Sequence, residues 1–150
     1  MSGIKCKIEK NRLPSAFIRV IVLLLIGCTT TIENDHDAIL DSYVLTMRAF
    51  SREDLRGVMR TISKEFHSKE ENQTNYDEVF QFRRLFILNN SNVSVNFTEI
   101  NINIDEFTAT VSLKVNVRTD QMVNEWEEID TLQKRNGKWE IVSWNRLESR

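Results

Sequence analysis

The chain is poor in the residues that cross-link, kink or coordinate. Among its 150 residues are two cysteines, two histidines, one proline and four glycines. Both cysteines, Cys6 and Cys28, lie in the first 28 residues, so a domain built from the rest holds no internal disulfide and folds on packing alone. His36 and His67, without any Cys-x-x-Cys, cannot assemble a structural zinc site of the usual kind, and no metal or cofactor is expected. There is no low-complexity tract and no internal repeat. Nor does any apolar run approach the roughly 20 residues of a membrane-spanning helix; the block Val20–Ile26 has seven.

The length suits one domain with a proper core, and the 41% hydrophobic and 28% charged content is that of a globular chain. The net charge of −2 conceals an asymmetry. Residues 1–27 hold Lys5, Lys7, Lys10, Arg12 and Arg19 against Glu9 alone. Subtracting these from 20 basic and 22 acidic residues leaves 15 and 21, a net charge of −6. An acidic domain without a basic stripe lacks the electrostatic footprint of a phosphate-backbone binder, so nucleic acid is not an expected partner.

The basic N-terminal stretch, the short apolar block and the abrupt stop at Gly27-Cys28 have the order of a secretion signal. Leu25-Ile26-Gly27-Cys28 resembles the lipobox of bacterial lipoproteins. The resemblance implies cleavage before Cys28, lipidation of its thiol and anchoring to a cell membrane or outer membrane, with the domain exported from the cytoplasm. Two or more acyl chains, at about 0.8 kcal/mol per buried methylene, hold a protein stably on a bilayer. The expected organisation is a signal over 1–27, a lipidated cysteine and polar tether over 28–36, and a domain over 37–150.

Within the domain, Leu40, Tyr43, Val44, Met47 and Phe50 are spaced for one helix face over 37–50. Ser51 followed by acidic residues starts a second helix, whose stripe Leu55, Val58, Met59, Ile62 and Phe66 runs to about His67; Gly57 within it permits close packing. Asn75 with Glu78 is a capping pair for a third helix through Tyr76, Val79, Phe80, Arg83, Phe86 and Ile87. Beyond Asn89 the period becomes two. Val93, Val95 and Phe97 alternate, a bulge is expected near Glu99-Ile100, and Ile102 and Ile104 resume. Phe107 to Val117 alternates over eleven residues, and Trp126–Arg135, Asn136-Gly137 and Lys138–Trp144 read as a hairpin with a primed two-residue turn. Three helices followed by about four antiparallel strands make an α+β domain with the helices packed on a curved sheet.

Counting back from Asn136-Gly137 pairs Leu132 with Ile141 and Ile129 with Trp144, and sends Trp139 and Trp144 to opposite faces. An apolar outer face follows, and with it an expected homodimer. A bulge near Val142 would instead return Trp144 to the inner face.

This element order, the phrase Ala49-Phe50-Ser51-Arg52-Glu53-Asp54-Leu55 and the closing Asn136-Gly137-Lys138-Trp139-Glu140-Ile141-Val142 resemble the nuclear transport factor two-like superfamily. That is the cone-shaped fold of ketosteroid isomerase, scytalone dehydratase and SnoaL-like proteins. The resemblance covers about residues 36–147 and implies an apolar cavity between sheet and helices. In isomerase-like members it implies a carboxylate base after the second helix, and a tyrosine with a protonated aspartate stabilising an oxyanion. Tyr43 fits the tyrosine and His67 stands where the base is sought. The strands expected to carry the second acid, Phe107–Val111 and Val111–Val115, hold none.

The candidate site residues are therefore Cys28 for lipidation, Tyr43 and His67 for acid–base chemistry, and Arg83, Trp139 and Trp144 for ligand contact. Packing, helix capping and surface ion pairing are the competing roles. Glu125, Glu127, Glu128 and Asp130 lack the ligand spacing of a calcium loop and read as a solvated acidic edge. The functional expectation is a membrane-anchored lipoprotein carrying a non-catalytic domain that binds an apolar small molecule or a protein. The alternatives are a small isomerase- or dehydratase-like enzyme acting on an apolar small molecule, and a structural component of a cell-envelope assembly.

Overall fold

The structure, a computed structural model, describes residues 34–147. The signal segment, Cys28 and the tether up to residue 33 lie outside the described residues. Helix α1 runs over 34–51, α2 over Leu55–Met59 and α3 over Tyr76–Asn89. Strands β1 (Ser94–Asp105), β2 (Thr108–Arg118), β3 (Val123–Arg135) and β4 (Lys138–Leu147) follow. They form one antiparallel sheet in the order β1-β2-β3-β4. This is the expected α+β plan of helices followed by a four-stranded antiparallel sheet. No helix among the described residues is long and apolar enough to cross a membrane.

The inner sheet face is written by period two. Ala109, Val111, Leu113, Val115 and Val117 on β2 are all buried, while the intervening Thr110, Ser112, Lys114 and Asn116 point to the other face. Phe107, expected to open this row, is instead 68% exposed at the β1–β2 turn. In β1 the register slips between Thr98 and Asn101, with Glu99 at φ 53°. This bulge changes the phase so that Phe97 before it and Ile102 after it face the same side. The primed turn is present at Asn136 (φ 50°) and Gly137 (φ 76°).

A second bulge corrects the hairpin geometry. Leu132 pairs with Ile141 as expected, but the register shifts between Thr131 and Leu132, so Trp144 lies opposite Asp130 and Asn145 opposite Ile129. The extra residue is Val142. Trp139 and Trp144 therefore both face inward, each 7% exposed. Trp144 is thereby removed from the outer face on which the homodimer expectation rested. Glu125 and Glu127 with Lys114, joined by a 2.7 Å Lys114–Glu125 ion pair, share that face with Ile129.

The helices differ from expectation in several places, the first being that residues 34–36, expected in the tether, already belong to α1. The buried stripe of α1 passes through Asp35, Ile39, Tyr43, Thr46 and Phe50, one position away from Leu40 and Met47. Two polar members of this stripe are tolerated because both are hydrogen-bonded, Asp35 to Lys134 and Trp139 and Thr46 to the Ser42 carbonyl. Ser51 does not cap α2; its hydroxyl donates back to the Arg48 carbonyl. Asp54 is the cap, accepting from Gly57 N at 3.0 Å. A Cβ on Gly57 would lie 2.6 Å from Asp54 Oδ2 and 2.8 Å from Ala49 Cβ, so the glycine serves close approach.

Helix α2 stops at Met59 rather than near His67. Thr61–His67 runs instead along the open edge of β4. Ile141 N donates to Thr61 O, Ser63 N to Ile141 O and His67 N to Val142 O, with a bridge between Ile62 and Ile141. β-Branched Thr61-Ile62 favours extended backbone, and pairing there covers an edge that would otherwise be bare. Helix α3 is capped as expected: Asn75 Oδ1 accepts from Glu78 N, and Glu78 Oε2 accepts from Thr74 N.

Candidate functional site

The inner row of β3 reads Asn124, Trp126, Glu128, Asp130, Leu132 and Lys134, because each lies opposite the inward residues of β2 and β4. Its two ends differ. At the Trp126–Glu128 end, the helices and the sheet enclose a half-open cavity of about 370 Å³. Aromatic rings form much of its wall: Phe50, Phe86, Phe97, Trp126 and Trp144, with Val115 and Val117 from β2. Arg83 and Glu128 are the charged groups set among these rings, and Glu70 and Arg146 also line it.

Each polar group in the wall has a structural reason for its position. Arg83, on the inward side of α3, donates from Nη1 to the Val58 carbonyl at 2.9 Å. Its guanidinium carbon sits 5.2 Å from the Trp144 ring centre and 5.7 Å from that of Phe50. Burial pulls its pKa down to about 10, which leaves it charged at neutral pH. Glu128 Oε2 accepts from Trp126 Nε1 at 2.9 Å, and Arg146 covers the Trp126 ring at 4.4 Å. Arg146 N in turn donates to Glu70 Oε1 at 3.1 Å.

Beneath this wall lies a buried polar couple. Tyr43 on α1, 3% exposed, donates its hydroxyl to Asp130 Oδ2 at 2.6 Å, with its ring edge-on to Phe97 at 5.3 Å. Asp130 is 2% exposed, and its Oδ1 meets no donor. Burial first, and then the neighbouring Glu128, push the Asp130 carboxyl well above the usual carboxylate range, against the opposing pull of the Tyr43 bond and Arg83. Glu128, two residues along the same strand face, can serve as a partner for Oδ1 only when one of the two carboxyls holds a proton. Asp130 is the more deeply buried of the two, and its carboxyl is the one pushed up. Tyr43 is likewise pushed well above its ordinary value, by burial and then by Asp130, and stays a neutral donor.

The expected site residues thus fall into three places. Arg83 and Trp144 line the cavity, and Arg83 makes no surface ion pair with Asp77 or Glu78; Glu78 is bound to Thr74. Tyr43 lies under the cavity wall. Trp139 belongs to the opposite end of the inner face, where its Nε1 donates to Asp35 at 3.1 Å. His67 is exposed, sits on the β4 edge rather than at a helix end, and is absent from the cavity lining. No cluster of metal-ligating side chains occurs among the described residues.

Glu128 and Asp130 are the residues that the sequence reading misplaced. The buried acid of the inner face stands on β3, and the acidic run is divided: Glu125 and Glu127 are exposed, as a solvated edge would be, whereas Asp130 is fully enclosed. A signal existed. Leu132 is an obvious inward residue of the hairpin, and period two carries Asp130 and Glu128 onto its face.

No family model and no curated protein matches the sequence. Solved structures do match. A candidate scytalone dehydratase from Novosphingobium aromaticivorans superposes with a TM-score of 0.67 at 15% identity, over 81% of this chain and 93% of that one. A nuclear transport factor two-like protein of unknown function from Pseudomonas putida gives 0.66 at 8% identity, over 80% and 88%. A cystatin-like-fold protein of unknown function from Nostoc punctiforme gives 0.61 at 16%, over 75% and 89%. The fold is therefore nuclear transport factor two-like, of the cystatin-like type. At these identities the likeness speaks for the fold alone.

Proposed function

We propose that this chain is an exported, lipid-anchored protein whose domain binds an apolar small molecule in the cavity between α3 and the sheet. The observation that carries the binding reading is the half-open, aromatic-walled space of about 370 Å³, a volume and lining typical of small-molecule sites. The anchoring reading is supported by the sequence around Cys28. A neutral apolar fluorophore, N-phenyl-1-naphthylamine, should bind the full chain. Val117→Phe, which fills the lining from β2, should abolish that binding while the protein stays folded by circular dichroism. Equal binding by parent and variant would remove the cavity from the reading. Separately, cells fed radioactive palmitate should label the parent and not Cys28→Ser; equal labelling of both sinks the anchor.

A second reading, a proton-transfer enzyme of isomerase or dehydratase type, is favoured by the Tyr43–Asp130 couple. It ranks lower because an acid or base must come within hydrogen-bond reach of the reacting atom, and neither Tyr43 nor Asp130 is among the cavity-lining residues.

A further inference from the structure

The polar groups of the cavity are unevenly satisfied. Arg83 has five N–H donors in a planar fork, of which one is committed to Val58 O. Among the described residues no carboxylate lies within ion-pair distance of it. Of the acids in the same wall, Glu128 is turned to Trp126 Nε1 with Asp130 as its neighbour on the strand, and Glu70 accepts from Arg146 N. A cation held between two aromatic rings, partly desolvated and with most of its donors unused, is costly unless an acceptor arrives.

We propose that the cavity selects a planar apolar molecule bearing a carboxylate, with Arg83 as the group that grips the carboxylate. The inference rests on the reading of the cavity as a ligand site. The guanidinium fork matches a carboxylate's two oxygens in a bidentate pair, and one negative charge balances that of Arg83, which has no ion-pair partner among the described residues. A doubly charged phosphate would leave an uncompensated charge beside Glu128 in an apolar enclosure. The planar body follows from the walls. Trp126, Trp144, Phe86 and Phe97 offer ring faces and edges that favour flat aromatic partners over bulky ones.

Calorimetric titration of the full chain with 2-naphthoate and with its neutral counterpart 2-naphthamide separates the two levels of the argument. The naphthoate should bind about tenfold tighter, the scale of one charge-assisted hydrogen-bonded pair. In Arg83→Gln the preference should fall to about one, since the fork is gone. Because Arg83 also supports Val58, Glu128→Gln provides a variant with the arginine in place. Removal of a competing negative charge should raise the naphthoate-to-naphthamide ratio above that of the parent. Binding of both probes with no preference, or a ratio unchanged in Arg83→Gln, overturns the carboxylate inference while leaving the cavity a ligand site. Failure of both probes and of the neutral fluorophore overturns the cavity reading and this inference with it.

Discussion

Asp35 on α1 and Asp130 on β3 are both buried at the inner face of the same sheet, and their environments drive them in opposite directions. Asp35, at the Lys134 end, accepts from Lys134 Nζ at 2.6 and 2.8 Å and from Trp139 Nε1 at 3.1 Å. Burial pushes its carboxyl up, but the bonds to Lys134 and Trp139 outweigh it, so its pKa lies below the ordinary value. Asp130 receives one neutral donor, the Tyr43 hydroxyl, and has a second carboxyl for a neighbour. Its pKa rises instead. Burial alone thus does not decide the charge of a carboxyl; the number of donors and the sign of the adjacent charge do. One end of the sheet uses a charge to fasten α1 to the hairpin, and the other buries an acid of raised pKa beneath a cavity.

A third acid placed between these two environments should have neither solution. Val111, fully buried, lies directly across from Asp130 in the β2–β3 ladder. Val111→Asp has no lysine and no free phenol to meet, and should cost about 4 kcal/mol, close to the whole stability of an ordinary domain. Urea unfolding reads the effect, and a variant as stable as the parent would mean that the site admits water. A smaller loss is expected at the other end. Lys134→Met leaves Asp35 with Trp139 as its remaining partner and should cost about 2 kcal/mol at neutral pH. The difference from the parent should shrink as pH drops. Asp35 contributes stability above its unfolded value near 3.8, and this is lost as pH falls through the lower folded value.

The contrast between the two aspartates was hidden from sequence for a physical reason. The β2 alternation from Ala109 to Val117, the bulge at Glu99-Ile100, the Asn136-Gly137 turn and the Asn75 cap are local, and each is present where the residues predict it. Asp130 owes its raised pKa to burial first and then to Glu128; that burial comes from packing against elements as distant as Tyr43, 87 positions away, and no local pattern encodes it. Helix α2 failed differently. Val58, Met59, Ile62 and Phe66 all face the core, so their spacing fits a helix, yet the free edge of β4 competes for the backbone of 61–67 and wins. Trp144 turned on one residue: the bulge at Val142 is invisible in a period-two count, because any insertion flips the phase of everything beyond it. Of the cavity, Arg83 was legible as an inward residue, and Trp144 only through a bulge near Val142. Glu128 was obscured by exposed Glu125 and Glu127 beside it.

The smallest effect, and the sharpest probe of Asp130, comes from Asp130→Asn. If the native carboxyl is neutral, a neutral isostere keeps its geometry: the amide oxygen accepts from Tyr43 and the amide nitrogen donates to Glu128. One amide hydrogen is left over, so near pH 4 the variant should differ from the parent by no more than about 1 kcal/mol. The difference must then change with pH in a known direction. A carboxyl whose folded pKa is raised contributes stability that is fully present below the unfolded value of 3.8. That stability declines as pH rises toward the folded value, by at most about 1.4 kcal/mol per pH unit. The asparagine has no such proton to lose. Thermal unfolding followed from pH 4 to 8 should therefore show Asp130→Asn gaining steadily on the parent and overtaking it. Asp35→Asn should be less stable than its parent throughout that range. An Asp130→Asn variant that loses stability relative to the parent as pH rises would show that Asp130 is ionised in the folded protein, and the two aspartates would then be alike after all.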